Sequence, residues 1–267
     1  MTPPDPNGSA GPDATRGGRP RWRGWRALVL PAGLLLAWEL LAKSRLGDAL
    51  FTPTLTMIVA AFWKLIATGE LMLHLQSSTL RMLYGFGLAV ALALPLGMGV
   101  GWFPVLRRYV GPLFEMVRPF PSITLVPVAI LWFGIGNPSK VFLVTYACFW
   151  PTFLNTMLGV QEINPVLIRA ARVMEIRGVA FFWKIVLPAA LPAAFTGVRI
   201  SLAVSVIVLL VSEMVGATNG IGFMIIDAER NFLTAKMFAG IITMGLLGAA
   251  LNAAALATER VLMRHRH

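Results

Sequence analysis

The chain has 267 residues, of which 57% are hydrophobic and 13% charged, with a formal net charge of +11. Its mean hydropathy is +0.74. Soluble domains carry about 25% charged residues, so this composition excludes an ordinary soluble domain and points to a chain dissolved in a bilayer. One cysteine, Cys148, sits in an apolar run. It has no intrachain partner and reads as a packed core thiol.

Residues 1–20, "MTPPDPNGSAGPDATRGGRP", are rich in Pro, Gly and small polar side chains. Such a segment buries too little to order itself and is expected to be a disordered tail. "RWRGWR" then leads into an apolar run. No small-x-small cleavage site follows, which favours an uncleaved first span over a signal peptide. Six spans are expected, at about 27–43, 81–103, 119–136, 140–160, 191–213 and 237–258, each near the ~20 residues a bilayer requires. Residues 54–76 are amphipathic and too polar to span, so an interfacial helix with a connector is expected there. The organisation is therefore a tail (1–20), a first span within 21–50, an interfacial segment on the outer side (51–80), a core (81–260) with a loop at 162–190, and a basic tail (261–267).

The positive charge follows this topology. One set of alternate connections holds Arg16 to Arg26, Arg107, Arg108, Arg118, Arg169, Arg172, Arg177, Lys184 and Arg260 to Arg266, and the other set is sparser. The positive-inside rule places both termini in the cytoplasm. The net charge is thus a topology signal, and nucleic acid is not an expected partner.

The second span carries Gly85, Ala89, Ala93, Gly97 and Gly101 at a spacing of four, and the sixth carries Gly245, Ala249, Ala253 and Ala257. Such faces let helix backbones approach closely in lipid. They are expected to pack the bundle, with a partner subunit as the other use. Pro119, Pro121 and Pro127 break the third span. Broken backbone at membrane depth either lines a cavity or is a kinked structural helix.

Between the fourth and fifth spans lies "RAARVMEIRGVAFFWKIVLPAALP". Asn164 suits a helix cap and Pro165 the first helical position. Arg169, Arg172 and Glu175 recur on one side, and Gly178 is a natural stop. A second, mostly apolar piece follows, and Pro188 and Pro192 are expected to end it and turn the chain back into the membrane. By pattern alone this is a surface helix with an Arg172–Glu175 pair.

These residues resemble the EAA loop of permease subunits of bacterial ABC importers, which reads E-A-A, three residues, G, nine residues, I-x-L-P. Ala170 and Ala171 match the alanines, and Ile185, Leu187 and Pro188 fall at the required spacing. Arg169 stands where the family has Glu, and Glu175 where it has Gly. The resemblance covers about residues 50–260, through "SSTLRMLYGFGLAVALALPLGMGVG", "RPFPSITLVPVAILWFGIGNPSKVFLV" and "SEMVGATNGIGFMI". The last two are similar to the subgroup importing nitrate, taurine and aliphatic sulfonates. It implies an all-α permease of about six transmembrane helices in the bacterial inner membrane. It also implies that Arg169, Ala170, Ala171, Arg172, Glu175, Gly178, Ile185, Leu187 and Pro188 form a cytoplasmic coupling segment. The implied partners are two ATP-binding subunits, a periplasmic or lipid-anchored solute-binding protein and a second permease copy.

No phosphate-cradling G-x-x-x-x-G-K-[ST] run occurs, so ATP chemistry is expected on another polypeptide. No cofactor, metal set or catalytic residues are expected. His74 stands alone in the interfacial segment, and His265 and His267 belong to the tail. Glu213, within a span, is a functional residue by default or a structural hydrogen-bonding group. Arg199 meets an anionic solute or lipid headgroups. Asn155, Ser201, Ser205 and Ser212 are pathway residues or helix-packing hydrogen bonders, and both readings stand. A stand-alone channel or secondary transporter is the alternative, though the spans are poor in coupling-ion ligands. A lipid-acting enzyme would need a His, Asp or Glu cluster that is not found.

Overall fold

The structure, a computed structural model, describes residues 24–44 and 52–263. The tail expected over 1–20 and residues 264–267 lie outside the described residues. All regular structure among the described residues is helical. Among the described residues, four helices are long and apolar enough to cross a membrane: Glu70–Trp102, Asn137–Gln161, Gly178–Met214 and Thr234–Arg260. A bent pair would make a fifth span. Helix α1 (Gly24–Lys43) covers the first expected span.

Helix α2 (Leu55–Ala67) occupies the segment where an interfacial helix is expected. Thr54 caps it, and the Glu39 carboxylate of α1 accepts from Leu55 N–H at 2.7 Å. Glu39 also pairs with Lys43 at 2.9 Å, as the i,i+4 spacing suggests. The connector that follows is short, because α3 (Glu70–Trp102) begins well before the expected start at 81. His74, Ser78 and Arg81 lowered the apparent hydropathy of this stretch, yet all three are buried inside the protein.

The third expected span, 119–136, is not a single helix. Helix α4 (Pro104–Val117) is separate, and a single 3₁₀ turn (Ser122–Leu125) runs into α5 (Val126–Phe133). The two limbs meet at 81°. Pro119 and Pro121 cannot donate backbone hydrogen bonds, and Pro121 is extended (ψ 131°), which ends the helix there.

The core is the contact of α3 with α6 (Asn137–Gln161) and of α6 with α9 (Leu187–Met214). The small face of α3 makes the first contact. A Cβ at Gly85 would lie 2.7 Å from Val144 Cβ, and one at Gly97 would lie 2.8 Å from the Phe153 carbonyl. At the second contact Gly159 meets Ala193, and Gly197 meets the Pro151 carbonyl. The small face of α11 (Thr234–Met263) behaves differently. Gly245, Ala249, Ala253 and Ala257 are exposed, so this stripe does not pack the bundle of a single chain. Gly240 and Met244 make the contacts of α11 instead.

The two glycine faces give opposite expectations. Gly97→Val overpacks the α3–α6 seam and should lower stability by about 1–3 kcal/mol. Gly245→Val, which meets nothing within 4 Å, should change it by no more than about 0.5 kcal/mol. Thermal unfolding of both variants in the same detergent checks the contrast.

Candidate functional site

After α6 the chain leaves the bundle through a helical hairpin. Asn164 Oδ1 accepts from Val166 N–H at 2.9 Å, so it caps α7 (Pro165–Val173), which Pro165 opens. Both match the sequence expectation. The end of α7 does not. The helix stops at Val173, and Glu175 takes φ 55°, in the left-handed region. Ile176 N–H donates to the Ala171 carbonyl at 3.0 Å, and Ile176 packs with Ala171 in one cluster. This is a Schellman cap with Glu175 in the place where glycine is favoured. The backbone at this position favours glycine, and Glu175 adopts it under strain. Gly178, expected as the stop, instead opens the next helix, α8 (Gly178–Phe181), at φ 60°.

Pro188 and Pro192 do not end the second piece. Residues Phe182–Val186 form a π-turn, with Leu187 N–H donating to the Phe182 carbonyl, and α9 continues directly from it. The wider turn relieves the helix where Pro188 has no N–H to give. The second arm of the hairpin and the span are one 37-residue helical run, Gly178–Met214.

One side of the hairpin holds it to the bundle. Ala171, Phe181, Val186 and Ala190 are buried with Met98 of α3, and Ile185 and Leu187 pack beside them. The Trp102 and Phe181 rings stand 5.4 Å apart. The other side faces out. Arg169 and Ala170 are exposed, as are Val173 (84%), Met174 (71%) and Val179 (75%). The Arg172 side chain, and with it the expected Arg172–Glu175 pair, lies outside the described residues.

The six pathway candidates do not converge. Ser201, Ser205 and Ser212 are buried. They donate to the carbonyls of Val198, Leu202 and Leu209, and Ser201 Oγ accepts from Thr152 at 3.0 Å. Arg199 is half-exposed, 3.8 Å from Glu259 of α11. Asn155 gives its amide to the Pro151 carbonyl and lines a cleft between α4 and α6. Cys148 is buried, and its thiol reaches the Ser201 carbonyl.

Glu213 proves to be the centre of a polar knot. Arg81 Nη1 lies 2.7 Å from its Oε1. Ser78 Oγ donates at 2.7 Å, and Gly222 N–H at 3.0 Å. Arg81 also reaches Asn137, the Asn219 carbonyl and the Asn219 side chain. Ser78 accepts from Ile221 N–H, His74 Nδ1 from Gly220 N–H, and Lys140 Nζ holds the Gly216 carbonyl. A Cβ at Gly220 (φ 116°) would collide with the Glu213 carboxylate, so the loop "GATNGIG" must be glycine-rich to close over the charge. Sequence reasoning missed Ser78, Arg81, Lys140 and Asn219. The available signal was register, since His74, Ser78 and Arg81 continue the face of Gly85 and Ala89 toward the start of α3.

The long apolar helices define a multi-pass helical membrane protein. The chain belongs to the family of binding-protein-dependent transport system inner membrane components, whose profile matches residues 85–264. It is 34% identical over 250 residues to SsuC of Bacillus subtilis (strain 168), whose name assigns it to aliphatic sulfonate transport, covering 94% of this chain and 91% of that one. It is 31% identical over 249 residues to the taurine transport system permease protein TauC of Escherichia coli (strain K12), covering 90% of each. Among solved structures it is similar to the MetNI methionine ABC transporter in inward-facing conformations. There the TM-score is 0.57 at 20% identity, covering 78% of this chain and 97% of that one.

Two substitutions separate the hairpin from the knot. Glu175→Gly relieves the left-handed strain and should stabilise the cap by about 1 kcal/mol, read as slower amide exchange over residues 171–178. Glu213→Ala strands the Arg81 charge in the core and should destabilise the protein by about 3–5 kcal/mol, read by thermal unfolding.

Proposed function

We propose that the chain is the membrane-spanning subunit of an ATP-driven importer for a small organic anion of the aliphatic sulfonate or taurine type, and that the hairpin α7–α8 docks on a separate ATP-binding subunit. The observation that carries this reading is the exposed apolar face of Val173, Met174 and Val179 on a hairpin continuous with a span. Large apolar side chains left exposed together on a short hairpin favour an interaction site over a solvated loop helix. Arg169, Ala170 and Glu175 are exposed beside these residues, and Arg172 completes the proposed docking segment in sequence. Ala171, Gly178, Ile185, Leu187 and Pro188 hold its backbone.

The positive-inside distribution supports a cytoplasmic hairpin with both termini on the same side. The absence of a phosphate-binding loop supports ATP hydrolysis on a partner. A small bundle encloses a path most simply with a second copy, so the assembly we favour is two copies of this chain, two ATP-binding subunits and a periplasmic or lipid-anchored solute-binding protein. The relatives' sulfonate and taurine names support the substrate class. In the assembled importer, closure of the ATP-binding pair pulls on α7–α8, and the continuous helix carries the movement into α9.

The test is co-purification with the ATP-binding subunit, paired with uptake. Val173→Asp and Met174→Asp together should leave helicity and thermal unfolding unchanged. Recovery of the partner should fall by about thirtyfold or more, the cost of losing an interface hot spot, and ATP-driven uptake of an aliphatic sulfonate should fall with it. Full recovery of the partner by this variant would remove the docking role from the hairpin.

A further inference from the structure

The cleft between α4 and α6 holds about 720 Å³, within the size range of small-molecule sites. Arg107 and Arg118 of its lining stand about three turns apart, on the same face of α4 and roughly 16 Å along its axis. Neither guanidinium has a hydrogen bond or ion pair with another described residue. Trp150 lines the same cleft, and its buried indole N–H is also without a partner among the described residues. Phe114 and Phe153, with rings 4.7 Å apart, form an apolar wall. Glu115 is the one carboxylate in the lining, so the two arginines leave the cleft net positive. A cleft of unspent donors, positive charge and aromatic wall suits a ligand with a charged end and an apolar body. In the knot around Glu213, by contrast, the principal groups are already paired.

We infer that this cleft binds an organic oxyanion, a sulfonate or phosphate group on an apolar stem, with Arg107 or Arg118 pairing with the oxyanion and Phe114 and Phe153 packing on the stem. The identification of this ligand as imported solute rests on the import function proposed above. The chemistry itself does not, since an anionic phospholipid offers the same group. Guanidinium forks match such oxyanions in two-point geometry and do so best where water is scarce. Glu115 repels the ligand and limits how tightly it is held.

The full chain, with whatever subunits accompany it, is placed in phosphatidylcholine nanodiscs and titrated calorimetrically with 1-hexanesulfonate. Binding should be saturable. Arg107→Gln or Arg118→Gln should weaken it about tenfold or more, as expected for losing a charge-assisted hydrogen bond. Glu115→Gln should strengthen it. Arg108→Gln, a neighbouring arginine of α4 outside the cleft, should leave it unchanged. A second arm applies native mass spectrometry to protein extracted from its membrane and asks whether bound phosphatidylglycerol is kept by Arg108→Gln and lost by Arg118→Gln. Sulfonate binding with this pattern makes the ligand a free solute, and lipid retention with this pattern makes it a headgroup, and either upholds the oxyanion site. If neither ligand separates the Arg107 and Arg118 variants from the Arg108 variant, the inference is overturned. Should a Gln variant unfold, protection of Arg107 and Arg118 from phenylglyoxal by hexanesulfonate gives the same reading on the unmodified chain. Import and cleft fail separately. Uptake that survives loss of both arginines overturns the assignment of the cleft to imported solute alone, whereas sulfonate binding without ATP-driven uptake overturns the import function alone.

Discussion

Backbone contact between α3, α6 and α9 is the constraint on which the rest of the structure depends. In a bilayer, lipid tails solvate leucine as well as a neighbouring helix does, so apolar burial alone gives little preference for association. What remains is dispersion at short range, which needs surfaces that approach closely. Gly85, Gly97 and Gly101 bring α3 onto α6, and Gly159 and Gly197 bring α6 onto α9. Each of these contacts leaves no space for a Cβ. The central helix is therefore clamped from both sides, and elements that pack less closely, such as α4 with no buried residue, lie at the edge of the bundle.

The polar knot is secured by this same closeness. A carboxylate and a guanidinium buried together cost several kcal/mol each in lost hydration, recovered only when the geometry is good and the remaining donors and acceptors are filled. Here four elements supply them. Arg81 and Ser78 come from α3, Asn137 and Lys140 from α6, Glu213 from α9, and backbone N–H groups from the start of α10 (Ile221–Arg230). The short helix α10 is thus fixed by charge, and α11 then packs on it through Ile225 and Gly240. The knot fixes which helices meet at this end of the bundle, while the glycine seam sets how closely they meet.

The sequence was most legible where one physical signal acted alone. Apolar length located α6, α9 and α11, and Asn164-Pro165 located the start of α7. The small stripe of α3 packs as expected, whereas the like stripe of α11 is exposed, so small residues at that spacing do not by themselves decide the contact. Where two signals competed, the reading failed. Hydropathy set the start of α3 too late, since a buried Arg81 counts as polar until its partner Glu213, far away in sequence, is known. Proline was read as a stop at Pro188, but a π-turn one step earlier absorbs its effect. Gly178 was read as a helix end from its residue type, while the position that needed glycine holds Glu175. Pathway residues were the least legible, because serine in a span serves its own helix carbonyls as readily as a solute. Unpaired donors become visible only when the structure shows which partners are missing.

The hairpin's two faces explain why a strained residue is tolerable at its tip. The inner face is fixed by Ala171, Phe181 and Val186 against α3, and its exit is the helical run into α9. A local cost of about 1 kcal/mol at Glu175 is small beside the burial of that cluster, so the turn keeps its shape with a non-glycine residue. A glutamate there also sets a charge beside the exposed Met174, at the edge of the apolar face. In the proposed assembly that charge, with Arg169 on the helix before it, faces the partner. These are the two positions where the chain departs from the pattern it otherwise matches, and both are exposed. Such rim charges govern which partner is accepted more than how tightly it is held. Ala171 and the I-x-L-P segment hold the hairpin to the bundle, whereas in the proposed assembly Arg169 and Glu175 tune its specificity.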